Sequence, residues 1–154
     1  MVFAAGFIAG MQFPAFVDQY AKRVNAHYLE SKLNFKGFQL IADQFFGGDV
    51  YALIAKHESS DDKVFFREGA VIRKNYERML YLERHDMELK KGVIAGIKEF
   101  LFYADKQIFS EIYYGFSPVL ALNLISVFSG IVSGFILWIL FYVLFKITAP
   151  DYVK

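Results

Sequence analysis

The feature that most constrains this chain is an uncharged apolar stretch near its C-terminal end. Residues Val119 to Phe145 form 27 consecutive positions without an Asp, Glu, Lys or Arg. As an α-helix this stretch would be about 40 Å long, which exceeds the roughly 30 Å hydrocarbon core of a bilayer. A single soluble domain has no core wide enough to cover such a helix on every side. The sequence therefore predicts a membrane-spanning helix over 118–146, opened by Pro118 and followed by a short tail, 147–154.

Composition agrees with a membrane protein and excludes several other classes. Hydrophobic residues make up 56% of the 154 positions, more than is usual for a soluble domain. The 17 Lys and Arg residues are nearly balanced by 16 Asp and Glu residues, so the chain lacks the basic excess that nucleic-acid binding needs. The chain contains no cysteine, which excludes disulfides and thiolate metal sites. The expected partner on these grounds is the lipid bilayer and not a nucleic acid.

The N-terminal stretch is also apolar, but it is shorter. Its first seventeen residues are uncharged, and the first acidic residue is Asp18. A helix of that length falls slightly short of the bilayer core, and a span of 1–20 with the Tyr20 ring among the headgroups would close the gap. We therefore predict a first transmembrane helix over 1–20 that continues as a helix to about residue 34. An interfacial or core-packed helix is the alternative.

The intervening region, 18–117, has the pattern of a helical extramembrane domain. Helices are expected at Gly37–Phe46, Val50–Glu58, Lys63–Lys91 and Val93–Ile108. The last two carry apolar stripes at helical spacing and should pair as an antiparallel hairpin, packing on Phe38, Leu40, Phe45 and Leu53. The stripes comprise Phe65, Ile72, Tyr76, Met79 or Leu80, and Met87 in the first helix, and Val93, Ile97, Phe100, Leu101, Ala104 and Ile108 in the second. The predicted fold is thus an all-α membrane protein in which two transmembrane helices flank a helical hairpin-type domain.

Small residues in the two apolar stretches predict where they meet. Gly6 and Gly10 form a GxxxG pattern, and Gly130 and Gly134 form a second one. Such patterns let helix backbones approach closely, and polar side chains in lipid tend to face protein. We expect the last span to pack on Gly6 and Gly10 through one small face, made of Ser126, Gly130, Ser133 and Gly134. The alternative is that Asn123 and the serines line a pore. Trp138 and Tyr142 are expected in the far headgroup zone.

No set of residues has the spacing of a catalytic, cofactor-binding or metal site. The three histidines, His27, His57 and His85, are far apart in sequence, and neither HxxxH nor HExxH occurs. The serines lie in neither a G-x-S-x-G nor a Ser-x-x-Lys pattern. We therefore expect no cofactor and no enzymatic activity.

Three segments resemble a family of small proteobacterial membrane proteins of unknown function. They are Gly10–His27, Phe46–His57 with the following Ser60-Asp61 and Glu68-Gly69, and the closing Phe116-Ser-Pro118. The resemblance implies a bacterial inner-membrane protein with two spans and no assigned chemistry. Other members begin with a basic segment, which this chain lacks. By that analogy the termini would be cytoplasmic and the central domain periplasmic.

These observations predict a non-enzymatic accessory, scaffold or assembly subunit. It would pack against copies of itself or within a larger membrane protein complex. A small homo-oligomeric channel or transporter component is the alternative, and a membrane-bound enzyme is the third possibility.

Overall fold

The computed structural model describes residues 1–115 and 123–148. Within those ranges every regular element is an α-helix, and no strand is present. The helices are α1 (Val2–Phe45), α2 (Val50–Glu58), α3 (Lys63–Lys90), α4 (Val93–Tyr103), α5 (Lys106–Gly115) and α6 (Leu124–Thr148). The all-α prediction is confirmed.

The chain divides into two compact units. The first unit contains residues 1–20 together with the chain from Tyr103 onward, and thus holds the start of α1 along with α5 and α6. The second unit contains residues 21–102, with the rest of α1, α2, α3 and most of α4.

Helix α1 is longer than the sequence analysis predicts. The expected end near Asn34 and the new start at Gly37 are replaced by one continuous helix. Phe35, between those two positions, is buried in the core of the second unit, and Ala42 is buried on the same face seven residues later. Burial of both side chains stabilises the helix across Asn34 and Gly37, two residues of weak helix propensity.

The end of α1 is set by a glycine pair. Gly47 and Gly48 adopt φ values of 59° and 87°, the left-handed region in which glycine carries no steric penalty. The Gly48 N–H donates to the carbonyl of Ala42 at 3.0 Å, so the glycine pair folds back onto the last turn of α1 and supplies a donor to one of its carbonyls. Asp49 then caps α2 by accepting hydrogen bonds from the backbone N–H groups of Tyr51 and Ala52.

The core of the second unit joins α1, α2 and α3. Its buried members are Phe35, Ala42, Val50, Leu53, Ile54 and Ile72, and Phe38, Phe46, Tyr76 and Met79 pack on them half-buried. The Phe35 and Tyr76 rings stack with their centroids 5.0 Å apart. Of the residues predicted to receive the hairpin, Leu53 and Phe38 contribute to this core, whereas Leu40 and Phe45 are exposed.

Helix α3 buries a face somewhat different from the predicted one. Ile72 is buried and Tyr76 is half-buried as expected, but Phe65 and Met87 are exposed. Toward the C-terminal end the buried positions are Leu82, His85, Asp86 and Leu89. Two of these are polar, so a search for apolar spacing alone selects Met87 in their place.

The predicted helix Val93–Ile108 is two helices in the structure. Helix α4 ends at Tyr103, and α5 begins at Lys106. The break occurs because Asp105 caps α5 and accepts a hydrogen bond from the Ile108 N–H at 3.0 Å. The Asp105 N–H itself donates to the Tyr20 hydroxyl at 2.7 Å. The predicted stripe is also changed in α4, where Gly96 and Phe100 are buried while Val93 and Leu101 are exposed.

Helix α6 is the one helix in the described residues that is long and apolar enough to cross a membrane. The predicted start of this span at Pro118 lies outside the described residues, as does the end of the predicted tail beyond Thr148. The start of α1 does not reach the same length of apolar sequence, because its uncharged part ends at Val17 and contains Gln12 and Pro14.

Candidate functional site

In the first unit, α1 and α6 approach each other at their glycine faces. A Cβ atom built on Gly6 would lie 2.9 Å from Leu137 Cδ1 and 3.0 Å from the Cα of Gly134. One built on Gly130 would lie 2.8 Å from the carbonyl oxygen of Phe7. Real Cβ atoms essentially never approach backbone atoms within 3.0 Å. At this separation a side chain at position 130 would collide with the backbone of α1, and one at position 6 would force its neighbours to shift.

The serines of α6 meet α1 at Gly10. The Ser129 hydroxyl donates a hydrogen bond to the carbonyl of Gly10 at 2.8 Å. That carbonyl would normally accept from the N–H four residues later, but residue 14 is proline and has none. The Ser133 hydroxyl donates to the carbonyl of Ser129 at 2.8 Å, and a Cβ atom on Gly10 would collide with the Ser133 side chain. The pair of helices is thus joined by close packing and by the interhelical hydrogen bond from Ser129 to Gly10.

The structure places the other polar residues of this stretch at the start of α6. Ser126 is fully buried, in line with Gly130 and Gly134 at intervals of four residues. Asn123 is exposed and accepts a hydrogen bond from the Ser126 N–H at 2.8 Å, which makes it the N-cap of α6. Its side chain is used for capping, a role that the sequence analysis did not assign to it.

The three aromatic residues predicted at the headgroups differ in their surroundings. Tyr20 is fully buried, and its hydroxyl accepts the hydrogen bond from the Asp105 N–H. Its ring is therefore enclosed by protein and is not part of an exposed aromatic belt. Trp138 and Tyr142 are both exposed on α6, and their rings stack with centroids 6.1 Å apart.

A second candidate site is a polar cluster in the second unit, centred on a histidine. His85 is almost fully buried, and its Nδ1 atom lies 2.6 Å from Glu99 Oε1. The neighbouring Tyr81 ring stacks on the His85 ring at 5.8 Å, and the guanidinium groups of Arg78 and Arg84 lie over the same Tyr81 ring. The contact between His85 and Glu99 connects α3 to α4.

Next to His85, the buried Asp86 connects α3 to α1. One of its carboxylate oxygens accepts from the Asn25 side-chain amide at 3.1 Å, and the other accepts from the Lys90 ammonium at 2.6 Å. A buried carboxylate needs such partners, because an uncompensated charge in the interior is strongly destabilising.

A second contact between α1 and α3 lies one helical turn away. The Tyr28 hydroxyl donates to Glu83 Oε1 at 2.6 Å. This hydrogen bond to the carboxylate, together with burial, raises the pKa of Tyr28 above its ordinary value. Tyr28 is therefore a proton donor that stays protonated and joins the two helices; it is not an activated base.

The histidines do not form a shared site. His27 lies on α1, His57 lies at the end of α2 with its ring 5.9 Å from Phe65, and His85 faces Glu99. Among the residues that the structure describes, no three His, Cys, Asp or Glu side chains are grouped so that they could hold a metal ion. Sequence reasoning missed the contact between His85 and Glu99, since the two residues are 14 positions apart on different helices and match no motif.

Comparison with known proteins identifies the family. The family described as "Protein of unknown function (DUF2937)" matches residues 1–152, nearly the whole chain. Neither the curated proteins nor the solved structures contain a match to this chain. The chain is a member of the DUF2937 family of proteins of unknown function.

Proposed function

We propose that this chain is an integral membrane protein with two spans that acts as a non-enzymatic accessory, scaffold or assembly subunit. The spans are the start of α1 and α6. The observation that carries the proposal is the hydrogen bond from the Ser129 hydroxyl to the Gly10 carbonyl, together with the glycine packing around it. A proline is tolerated inside a membrane helix when a neighbouring serine satisfies the carbonyl that it leaves free.

The outer surface of α6 supports its placement in lipid. Phe128, Phe135, Leu144 and other large apolar side chains are exposed along its whole length, while the small residues face α1. An exposed apolar surface of this extent is far larger than a soluble monomer carries, and it suits hydrocarbon. The start of α1 is short for a span on its own, and packing along α6 would compensate for that.

The resemblance to proteobacterial proteins favours the bacterial inner membrane, with cytoplasmic termini and a periplasmic second unit. The chain has no cysteine, so one introduced at Ser60, in the turn between α2 and α3, would be the only thiol. Labelling of intact cells by a membrane-impermeant maleimide is expected at this position. Protection of the Ser60→Cys thiol until the membrane is opened would place the second unit in the cytoplasm.

A scaffold role is better supported than a channel or an enzyme. Two of the serine hydroxyls that a pore would need, those of Ser129 and Ser133, are bonded within the helix pair, and the third serine, Ser126, is fully buried. The contact between His85 and Glu99, the best candidate for acid–base chemistry, has a His85 side chain only 2% exposed, so a substrate would have little access to it. Both alternatives therefore lack a supporting contact.

The scaffold proposal is tested by isolating the full chain from its native membrane in a mild detergent after brief cross-linking. We expect a stable assembly, of defined mass, that contains either several copies or other membrane proteins. A monomer without partners at native expression levels would overturn the proposal. Flux of ions through liposomes that contain the pure chain would favour the channel instead.

A further inference from the structure

Helix α1 carries an exposed apolar seam within the second unit. Leu29, Leu33 and Leu40 are 54%, 70% and 58% exposed, although each is a large aliphatic side chain. Lys36 lies between the last two and is also exposed. The intervals of four, three and four residues are those of a coiled-coil heptad, with Leu33 and Leu40 at a positions and Leu29 and Lys36 at d positions. We call these four residues the α1 seam.

A shallow groove of about 440 Å³ runs beside the α1 seam. Its apolar wall includes Phe35 from α1 and Met79 from α3, and its polar rim includes Lys32, Lys36 and Gln39. The lining includes two lysines and no Asp or Glu. The groove therefore combines an apolar wall with a positively charged rim.

Neither lysine of the rim is neutralised by a carboxylate in the described part of the chain. The Lys32 ammonium lies 3.4 Å from the Tyr28 hydroxyl and over the ring of the same residue. Ion pairs of the second unit such as Arg73 with Glu58, Lys90 with Asp86 and Lys91 with Glu88 involve other residues. A ligand of this groove would therefore gain most from an anionic group near Lys36.

We propose that the α1 seam docks an amphipathic helix of a partner protein, which places a carboxylate opposite Lys36. This inference rests on the scaffold function proposed above and names the chemistry of the partner. Helices of this kind lay an apolar stripe with i, i+3, i+4, i+7 spacing into a groove. The seam covers eleven helical steps, about 16 Å, which matches three turns of such a helix.

A second copy of the chain fits the seam less well than a different protein. Two copies inserted in one membrane in the same orientation would bring their α1 helices together in parallel. Lys36 would then meet Lys36 in a d layer, where like charges oppose pairing. A lipid also fits less well, because an acyl chain in a shallow groove would leave one side in water.

The test uses two synthetic peptides and the full chain in detergent. Both peptides are three-heptad helices with leucine at a and d, and they differ only in the residue facing Lys36, which is Glu in one and Lys in the other. We expect saturable binding of the Glu peptide, measured by fluorescence anisotropy, and binding of the Lys peptide at least about tenfold weaker. That ratio corresponds to about 1.4 kcal/mol.

The variant Lys36→Glu should reverse the preference between the two peptides, and Leu33→Asp should abolish binding of both. Both positions are exposed, so neither change should alter the helical circular dichroism of the chain. Lys74→Glu is the control, since Lys74 is an exposed lysine of α3 outside the groove and should leave binding as in the wild type. Equal binding of both peptides, or no reversal in Lys36→Glu, would overturn the proposal.

A third measurement separates a lipid ligand from a protein ligand. One outcome would show that the groove is a lipid site and that the proposal is wrong. In that outcome fluorescent phosphatidylglycerol binds saturably to the wild type but not to Lys36→Glu, and the Glu and Lys peptides bind equally well. A result that rules out the α1 seam as a docking site can also be distinguished from a result that rules out the scaffold function. If the assembly persists unchanged in Lys36→Glu and Leu33→Asp, the scaffold function is supported, but the α1 seam is not the surface that holds the assembly together.

Discussion

The Ser129 hydroxyl donates its hydrogen bond to the Gly10 carbonyl, the group that Pro14 leaves without a helical donor. This hydrogen bond joins α6 to α1 at a backbone carbonyl that the helix of α1 cannot satisfy itself. In hydrocarbon an unsatisfied carbonyl is costly, so the bond and the proline should depend on each other energetically.

The first prediction is a double-mutant cycle on this contact. Ser129→Ala should destabilise the helix pair by about 1 kcal/mol, measured by reversible unfolding in mixed detergent micelles. In the Pro14→Ala background the residue-14 N–H can bond the Gly10 carbonyl, so the same Ser129→Ala change should cost clearly less. Equal costs in both backgrounds would show that the two residues are not coupled.

The second prediction compares two glycines of the same helix. A Cβ atom on Gly10 would lie 2.8 Å from the carbonyl oxygen of Ser129, whereas one on Gly37 would meet nothing within 4 Å. Gly10→Ala should therefore separate the helices and lower the thermal midpoint in detergent. Gly37→Ala should raise stability by about 0.5–1 kcal/mol, because alanine is the better helix former. A stabilising Gly10→Ala would contradict the close packing described here.

The third prediction concerns the ion pair between Glu58 and Arg73 in the second unit. The two side chains form a bidentate contact, with Nε to Oε1 at 2.8 Å and Nη2 to Oε2 at 2.6 Å. Hydrogen bonding by Arg73 lowers the pKa of Glu58 below its ordinary value. A lowered carboxyl pKa means that this stabilisation is present above the unfolded value, about 4.3, and is lost as the pH falls through the folded value.

Glu58→Gln should accordingly be less stable than the wild type at pH 7, in urea unfolding followed by circular dichroism. The difference should shrink as the pH is lowered below about 4 and should also shrink in high salt. Glu88→Gln serves as the control, because its partner Lys91 is an exposed lysine just after the end of α3. If the difference in the free energy of unfolding between Glu58→Gln and wild type is independent of pH, the effect comes from packing and not from charge.

The fourth prediction concerns the role of Lys36 in the α1 seam. Replacing this lysine with leucine removes the like-charge layer that opposes self-pairing, so Lys36→Leu should allow parallel dimers through the seam. With Leu33→Cys as the only thiol, mild oxidation should produce a disulfide-linked dimer in the Lys36→Leu chain and little in the Lys36 chain. Equal yields in both would show that Lys36 does not control pairing.

The sequence was informative where local rules dominate. The all-α architecture and the bounds of α2 and α3, to within one residue, follow from periodicity and turn residues. The glycine patterns in α1 and α6 were visible in the sequence as well, and the structure brings Gly6 and Gly10 against Gly130, Ser133 and Gly134.

Other features could not be obtained from spacing alone. Asn34 and Gly37 predict a helix end, but the burial of Phe35 outweighs their weak propensity. Asp105 lies inside an apolar period and breaks it by capping α5. The burial of Phe35 depends on residues brought close by folding, and the local cap at Asp105 is supported by the Tyr20 hydroxyl, 85 positions away in the chain.

The uncharged run Val119–Phe145 by itself predicted a helix long and apolar enough to cross a membrane, and α6 is such a helix. Which faces meet was decided by tertiary structure, since only the packed helices bring the Ser129 hydroxyl to the Gly10 carbonyl, 119 residues earlier in the chain. The same holds for His85 and Glu99, and for the exposure of Leu33 beside Lys36. Periodicity predicts which face of a helix is apolar. The element on which that face packs depends on how all the apolar faces of the chain can be buried together.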